Sequence, residues 1–148
     1  MSLCFLRVKN VFVGVAAICL SSCFSPKFNA EWKKAESSGE RGRKWVGRWE
    51  SQKGVGGRLR AVTKTPASGG LNVYFEAGWH GFTTAYPVEL RADAQNGSFR
   101  VFGEHHLKSF VGGGLYKYDG SLSSDAFSVR YSSSYDSGTF TLAPAETH

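Results

Sequence analysis

Cysteine is scarce in this 148-residue chain, and its three copies, Cys4, Cys19 and Cys23, all fall within the first 23 residues. Beyond Cys23 no disulfide can form, so any domain there must hold together by packing alone. Long apolar runs are missing too. The best, Val11–Leu20, has ten residues. As a helix it would reach about 15 Å, half of a hydrocarbon core that needs about twenty residues to cross. Also missing are the short motifs that announce a reaction. There is no Gly-x-Ser-x-Gly, and Ser132-Ser133-Ser134 is ordinary turn composition. Gly112-Gly113-Gly114 is followed by Leu-Tyr, not by a Lys-Ser or Lys-Thr pair, which argues against a phosphate loop. Asp119, Asp125 and Asp136 fall at expected turns, where aspartate has a local structural role. No catalytic residue and no cofactor is expected, and the chain reads as a non-enzyme.

What is present begins with an address. Met1–Asn10 carries Arg7 and Lys9 and no acid, and the apolar run behind it ends in Leu20-Ser21-Ser22-Cys23. A basic start, a short apolar core and a small-residue exit are the parts of a secretory signal. Leu20-Ser21-Ser22-Cys23 resembles the lipobox of bacterial lipoproteins. That resemblance implies cleavage between Ser22 and Cys23, a diacylglyceryl group on the Cys23 thiol and an acylated new amine. Several chains on one residue hold a protein stably at a membrane, whereas one chain does not. Residues 1–22 would then be removed, leaving 126 of the 148. Phe24 rather than Asp follows the cysteine; within that class this implies an exported protein at the periplasmic face of the outer membrane.

The formal net charge is +6, and +4 once Arg7 and Lys9 are gone. Lys27–Lys64 holds eleven Lys or Arg against four Glu. Next to a membrane anchor this reads as a solvated basic segment, with no nucleic-acid partner expected. Residues 23–44 are expected to be a flexible tether containing one short helix, capped by Asn29 and running through Ala30–Glu36.

From Trp45 the pattern changes to alternation. Strands are expected at Trp45–Ser51, Arg58–Lys64, Leu71–Ala77, Phe82–Ala92, Ser98–Leu107, Leu115–Leu122, Ala126–Tyr131 and Thr139–Leu142. Asn96-Gly97 is a strong hairpin signal. Pro87 argues for an edge or a bulge, Gly120 for a bulge within its strand, and Val62 is apolar on a face expected to point outward. Residues 45–148 are therefore expected to be one all-β domain, an antiparallel up-and-down barrel of about eight strands, or a sandwich. A barrel of that size fills with side chains or holds one small ligand.

Gly47-Arg48-Trp49, following a short helical segment, is similar to the Gly-x-Trp opening of lipocalins and related calycin barrels. The resemblance implies a lipocalin-like barrel in which Trp49 closes one end under an arginine from the final strands, with Arg130 the candidate. Trp49, Phe75, Trp79, Tyr116, Tyr118 and Arg130 are the candidates for barrel closure or ligand contact. Glu104, His105, His106 and His80 read as polar strand-end residues; adjacent His105 and His106 point to opposite faces, and no metal site is expected. The expected partners are a membrane through the anchor, and either a small apolar ligand or an envelope protein.

Overall fold

The computed structural model describes residues 25–36, 42–66, 68–108 and 113–145. The signal segment, Ser22 and Cys23 lie outside the described residues. One helix, α1 (Pro26–Glu36), precedes eight strands: β1 (Arg43–Ser51), β2 (Gly56–Lys64), β3 (Leu71–Trp79), β4 (Phe82–Gln95), β5 (Ser98–Leu107), β6 (Gly114–Leu122), β7 (Phe127–Ser132) and β8 (Ser137–Pro144). Each pairs antiparallel with the next, and β8 returns to β1 from Trp45↔Pro144 to Ser51↔Gly138, closing an up-and-down barrel. The sandwich alternative is excluded. Alternation is the cause: in β7, Phe127, Val129 and Tyr131 are buried while Ser128, Arg130 and Ser132 are exposed.

Two hairpins turn on two residues each. Asn96-Gly97 and His80-Gly81 all have positive φ, the geometry that matches strand twist in a tight hairpin. His80, at φ 45°, takes a conformation that Asn or Gly fills more easily. Gly120 lies in an unbroken register, opposite Val101 on one side and Val129 on the other, so β6 has no bulge there. Glycine is needed for space instead, because a Cβ would stand 2.0 Å from the Ser128 carbonyl oxygen.

The barrel core is aromatic at its centre. Phe75 is fully buried and touches Phe127 (ring centroids 6.1 Å), Phe140 (5.1 Å), Tyr86 (5.9 Å) and Tyr118 (6.4 Å). One end is plugged by Trp45, whose ring packs on Phe127 at 5.7 Å and whose Nε1–H donates to Thr63 Oγ1 at 2.9 Å. The Arg43 guanidinium lies 4.7 Å from the Trp45 ring and donates to the Ser124 carbonyl.

The helix is no tether. Phe28 is fully buried and forms an outer cluster with Ala35, Val62, Trp32, Tyr74 and Ala85. Val62 is apolar on the outward face because α1 covers it. Beneath the helix, Glu76 is 2 % exposed and accepts from Arg60 Nε (2.9 Å) and Nη2 (2.5 Å). The same guanidinium lies about as far from the Phe28 ring (5.1 Å) as from the Trp32 ring (5.0 Å) and reaches Asn29 Oδ1 at 3.4 Å. Cation–π contact and the ion pair thus hold α1 to β2 and β3. The expected cap is also corrected. Asn29 N–H donates to the Ser25 carbonyl at 3.0 Å, so the helix starts earlier, with Pro26 in its first turn. Proline suits that place because its missing N–H has no helical partner to lose.

Closure is uneven. β4 pairs with β3 along Phe82–Leu90, but with β5 only along Arg91–Gln95. Extending the β4–β5 register would set Pro87 opposite His106 and Glu89 opposite Glu104. Proline has no N–H for a ladder, and like charges directly opposite repel. Pro87 therefore sits on a local edge inside a closed barrel, and the Tyr86 and His105 rings face each other across the seam, 6.4 Å apart and 15° from parallel.

Candidate functional site

The end opposite Trp45 is open. A cavity of about 680 Å³ sits there, walled by Trp49, Ala77, Trp79, Phe82, Tyr86, Leu107, Tyr116, Tyr131, Tyr135 and Phe140 and rimmed by Lys53 and Val55. Such a volume lies in the range of small-molecule sites, which are mostly apolar with a few placed polar groups. Fully buried Phe75 lies beneath it.

The rim is unusual in its exposure. Trp79 and Phe82 are directly opposite each other at the tip of the β3–β4 hairpin, on the alternation that points inward at Phe75 and Ala77. They extend past the closed part of the wall and are 48 % and 68 % exposed. With Val55 and Tyr135 they form an apolar edge that water covers poorly.

One polar network braces the wall. Asp136, in the β7–β8 turn, accepts from Ser51 Oγ at 2.5 Å through one oxygen and from Tyr131 Oη at 2.9 Å through the other. Lys53 N–H donates to Ser51 Oγ at 3.0 Å, and Lys53 Nζ donates to the Tyr135 carbonyl. The network joins β1, β7 and the turn that follows each. Gly138 makes room for it: a Cβ there would lie 2.7 Å from the Tyr131 hydroxyl and 2.0 Å from the Glu50 carbonyl oxygen. Burial, then the bond to Asp136, raises the Tyr131 phenol well above its ordinary range, so it stays protonated. Among the described residues no histidine is hydrogen-bonded to Ser51 or Asp136. Nor do the described residues contain a group of three or more metal-ligating side chains.

Of the residues expected from sequence, Trp49, Trp79 and Tyr116 line the cup. The Trp49 Nε1–H donates to the Gly78 carbonyl at 3.1 Å, fixing its ring between β1 and β3. Phe75 and Tyr118 belong to the core below. Arg130 is misplaced by the sequence reading. It is exposed, between buried Val129 and Tyr131, and strand alternation turns it outward, away from Trp49. At the barrel's other end Arg43 covers Trp45, and outside the wall Arg60 lies over Trp32. His105 is also corrected: it is partly buried, on the inward alternation of Val101 and Gly103, and burial lowers its pKa, with His106 adding to the effect. Tyr86, Tyr131 and Phe140 are readable in sequence as aromatics able to line a pocket, but their depth along the barrel is set by cross-strand register; Asp136 reads there only as a turn residue.

Two other concavities, of about 470 and 460 Å³, are lined largely by charged, polar and glycine residues, including Lys117, Asp119 and Arg130 in one and Arg43, Lys64 and Ser124 in the other. Neither is apolar enough to compete with the cup. The eight-stranded antiparallel barrel is consistent with a lipocalin-like fold. No protein-family model, curated protein or solved structure matches this chain.

Proposed function

We propose that this chain is an exported, lipid-anchored envelope protein that binds a small apolar molecule in the open end of its barrel and performs no chemistry on it. The observation that carries the reading is Trp79 with Phe82: two large aromatics on the inward alternation that remain exposed above an aromatic cup. Burying both against a ligand would gain roughly 1.5–3 kcal/mol for each side chain fully covered. The anchor rests on the sequence, on Leu20-Ser21-Ser22-Cys23 behind a basic start and a ten-residue apolar run. Phe24 directs the reading to the outer membrane rather than the inner one.

The test is a titration of the full chain with N-phenyl-1-naphthylamine, an apolar fluorophore that brightens out of water. The expected result is a saturable, one-site enhancement. Trp79→Ala combined with Phe82→Ala should weaken it at least tenfold, equivalent to about 1.4 kcal/mol. Phe99→Ala, which removes an exposed aromatic away from the cup, should leave it unchanged. Unsaturable binding, or equal binding by the double variant, would contradict the reading. Cys23→Ser tests the anchor separately: the variant should stay unprocessed and unlipidated, and normal processing with membrane retention would refute the lipobox.

A second reading uses the same rim. Val55, Trp79, Phe82 and Tyr135 could form the centre of an interface with an envelope protein, because exposed apolar patches also mark partner surfaces. In that case the fluorophore would not saturate a single site inside the cup.

A further inference from the structure

The exposed apolar side chains of the barrel gather at one end. Of the six large ones among the described residues, Val55, Trp79, Phe82 and Tyr135 stand at the mouth of the cup. Of the other two, Val46 is on the outer wall of β1, and Phe99 lies on β5 at the far end. The four come from the β1–β2 turn, the β3–β4 hairpin and the β7–β8 turn, which an up-and-down barrel brings to the same end. The opposite end is polar and shut. Its turns carry Ser68-Gly69, Asn96-Gly97 and Ser123-Ser124-Asp125, and buried Trp45 seals it.

Charge at the mouth is mostly positive. Lys53, Arg58 and Lys108 are exposed there. Of the nearby acids, Glu50 faces Arg48 at 4.0 Å, and Asp136 has both oxygens engaged by Ser51 and Tyr131. Lower on the wall, Glu104 stands opposite Lys117. Aromatic rings set among cations suit the headgroup level of a bilayer, where tryptophan and tyrosine gather and long basic side chains reach out to phosphate.

The helix decides which end the start of the chain lies near. Strand register puts Val46, Arg60, Glu76 and Ala85 in one row across β1 to β4. The row climbs toward the mouth. Val46 is five residues from the mouth end of β1 at Ser51, whereas Ala85 is three from Phe82 and ten from Gln95 at the far end of β4. The later part of α1 lies on the low side, with the Trp32 ring 4.9 Å from the Lys44 amine of β1 and Glu31 bonded to Lys64. Phe28, near the helix start, packs on Tyr74 of β3 and shares a cluster with Ala85 of β4. The N-terminus of α1 is thus on the side nearer the mouth. Only two residues of chain separate Ser25 from Cys23, a reach of about 7 Å. A tether at Cys23 is too short to favour the sealed end.

We propose that the mouth of the barrel is a membrane-contact surface: Val55, Trp79, Phe82 and Tyr135 enter the interfacial layer of a phospholipid bilayer, with Lys53, Arg58 and Lys108 among its phosphates. This rests on the anchor reading above and adds an orientation to it. Lipid then covers the apolar rim while the cup is empty, and an apolar molecule passes between bilayer and cup without crossing water.

Tryptophan quenching in the full chain tests it, with vesicles of phosphatidylethanolamine and phosphatidylglycerol that contain phosphatidylcholine brominated near the glycerol. Trp79→Phe should remove more than half of the quenching seen in the wild type. Phe99→Trp, placed in the Trp79→Phe background, should not restore it, because that position is at the far end. Each exchange keeps an aromatic ring at an exposed site, so the barrel is expected to stay folded. Quenching unchanged by Trp79→Phe, or restored by Phe99→Trp, would overturn the proposal. If the chain does not associate with the vesicles, the anchor reading fails and this orientation with it. If it associates while Trp79 stays unquenched, the anchor stands, the orientation falls, and the rim is left to a protein partner.

Discussion

Replacing Phe28 by alanine should release α1 from the barrel without unfolding the barrel. Phe28 is fully buried between Trp32 (5.7 Å between ring centroids), Tyr74 (5.5 Å) and the Arg60 guanidinium (5.1 Å). Removing a fully buried phenylalanine ring costs about 3–5 kcal/mol. An eleven-residue helix is marginal in water by itself, so contact with the wall supplies most of what keeps α1 formed. A loss of about 3 kcal/mol shifts the docking equilibrium roughly 150-fold, enough to undock it. The barrel's own core contains no α1 residue and should survive. Amide hydrogen exchange reads the first effect, as lost protection across Pro26–Glu36; near-UV circular dichroism of the barrel's tyrosines and tryptophans reads the second. Retained protection in α1 would refute the role of Phe28. Loss of the near-UV signal together with the helix would show that helix and barrel are one cooperative unit.

Acid should weaken the same contact. Glu31 accepts from Lys64 and Lys34, and those bonds hold its carboxyl below the ordinary value of 4.5. Because the folded value lies below the unfolded one, the stabilisation is complete above about pH 4.5 and disappears as pH falls through the lower folded value. Denaturation midpoints should therefore drop in that window, and Glu31→Gln should flatten the slope while leaving the dependence near neutrality unchanged. At the cup, Gly138→Ala should force Tyr131 off Asp136 and lower stability by about 1–3 kcal/mol, the usual range for overpacking. The matching observables are a melting temperature lower by several degrees and weaker fluorophore binding; wild-type values for both would show that the Tyr131–Asp136 bond does not shape the site.

The eight strands were legible because each carries its own phase and the turns between them carry their own chemistry. Asn96-Gly97 and Pro87 are examples: one marks a hairpin, the other an edge, the stretch of β4 that pairs with β3 but not with β5. Position around and along the barrel was not legible in the same way. Arg130 could have been excluded as an inward residue, since Phe127, Val129 and Tyr131 set the opposite phase. The docking of α1 had one visible trace, Val62 on an outward face, and a hidden one, Glu76, whose burial depends on Arg60 and the helix above it. An apolar or charged residue that disobeys alternation was the signal of a covered outer wall. The cup depended on register: Tyr86, Tyr131 and Phe140 meet only because strands distant in sequence bring them to one depth.

The four tryptophans are placed to locate a ligand. Trp49 and Trp79 line the cup, Trp45 plugs the opposite end against Thr63, and Trp32, a residue of α1, lies beside Arg60 on the outer wall. Titrating the full chain with N-phenyl-1-naphthylamine while following the four indole N–H resonances tests the binding claim most directly. The account predicts that the Trp49 and Trp79 signals move and saturate together while those of Trp45 and Trp32 stay in place. Movement of Trp45 or Trp32 in place of the cup pair, or four unchanged indoles at saturation, would contradict it.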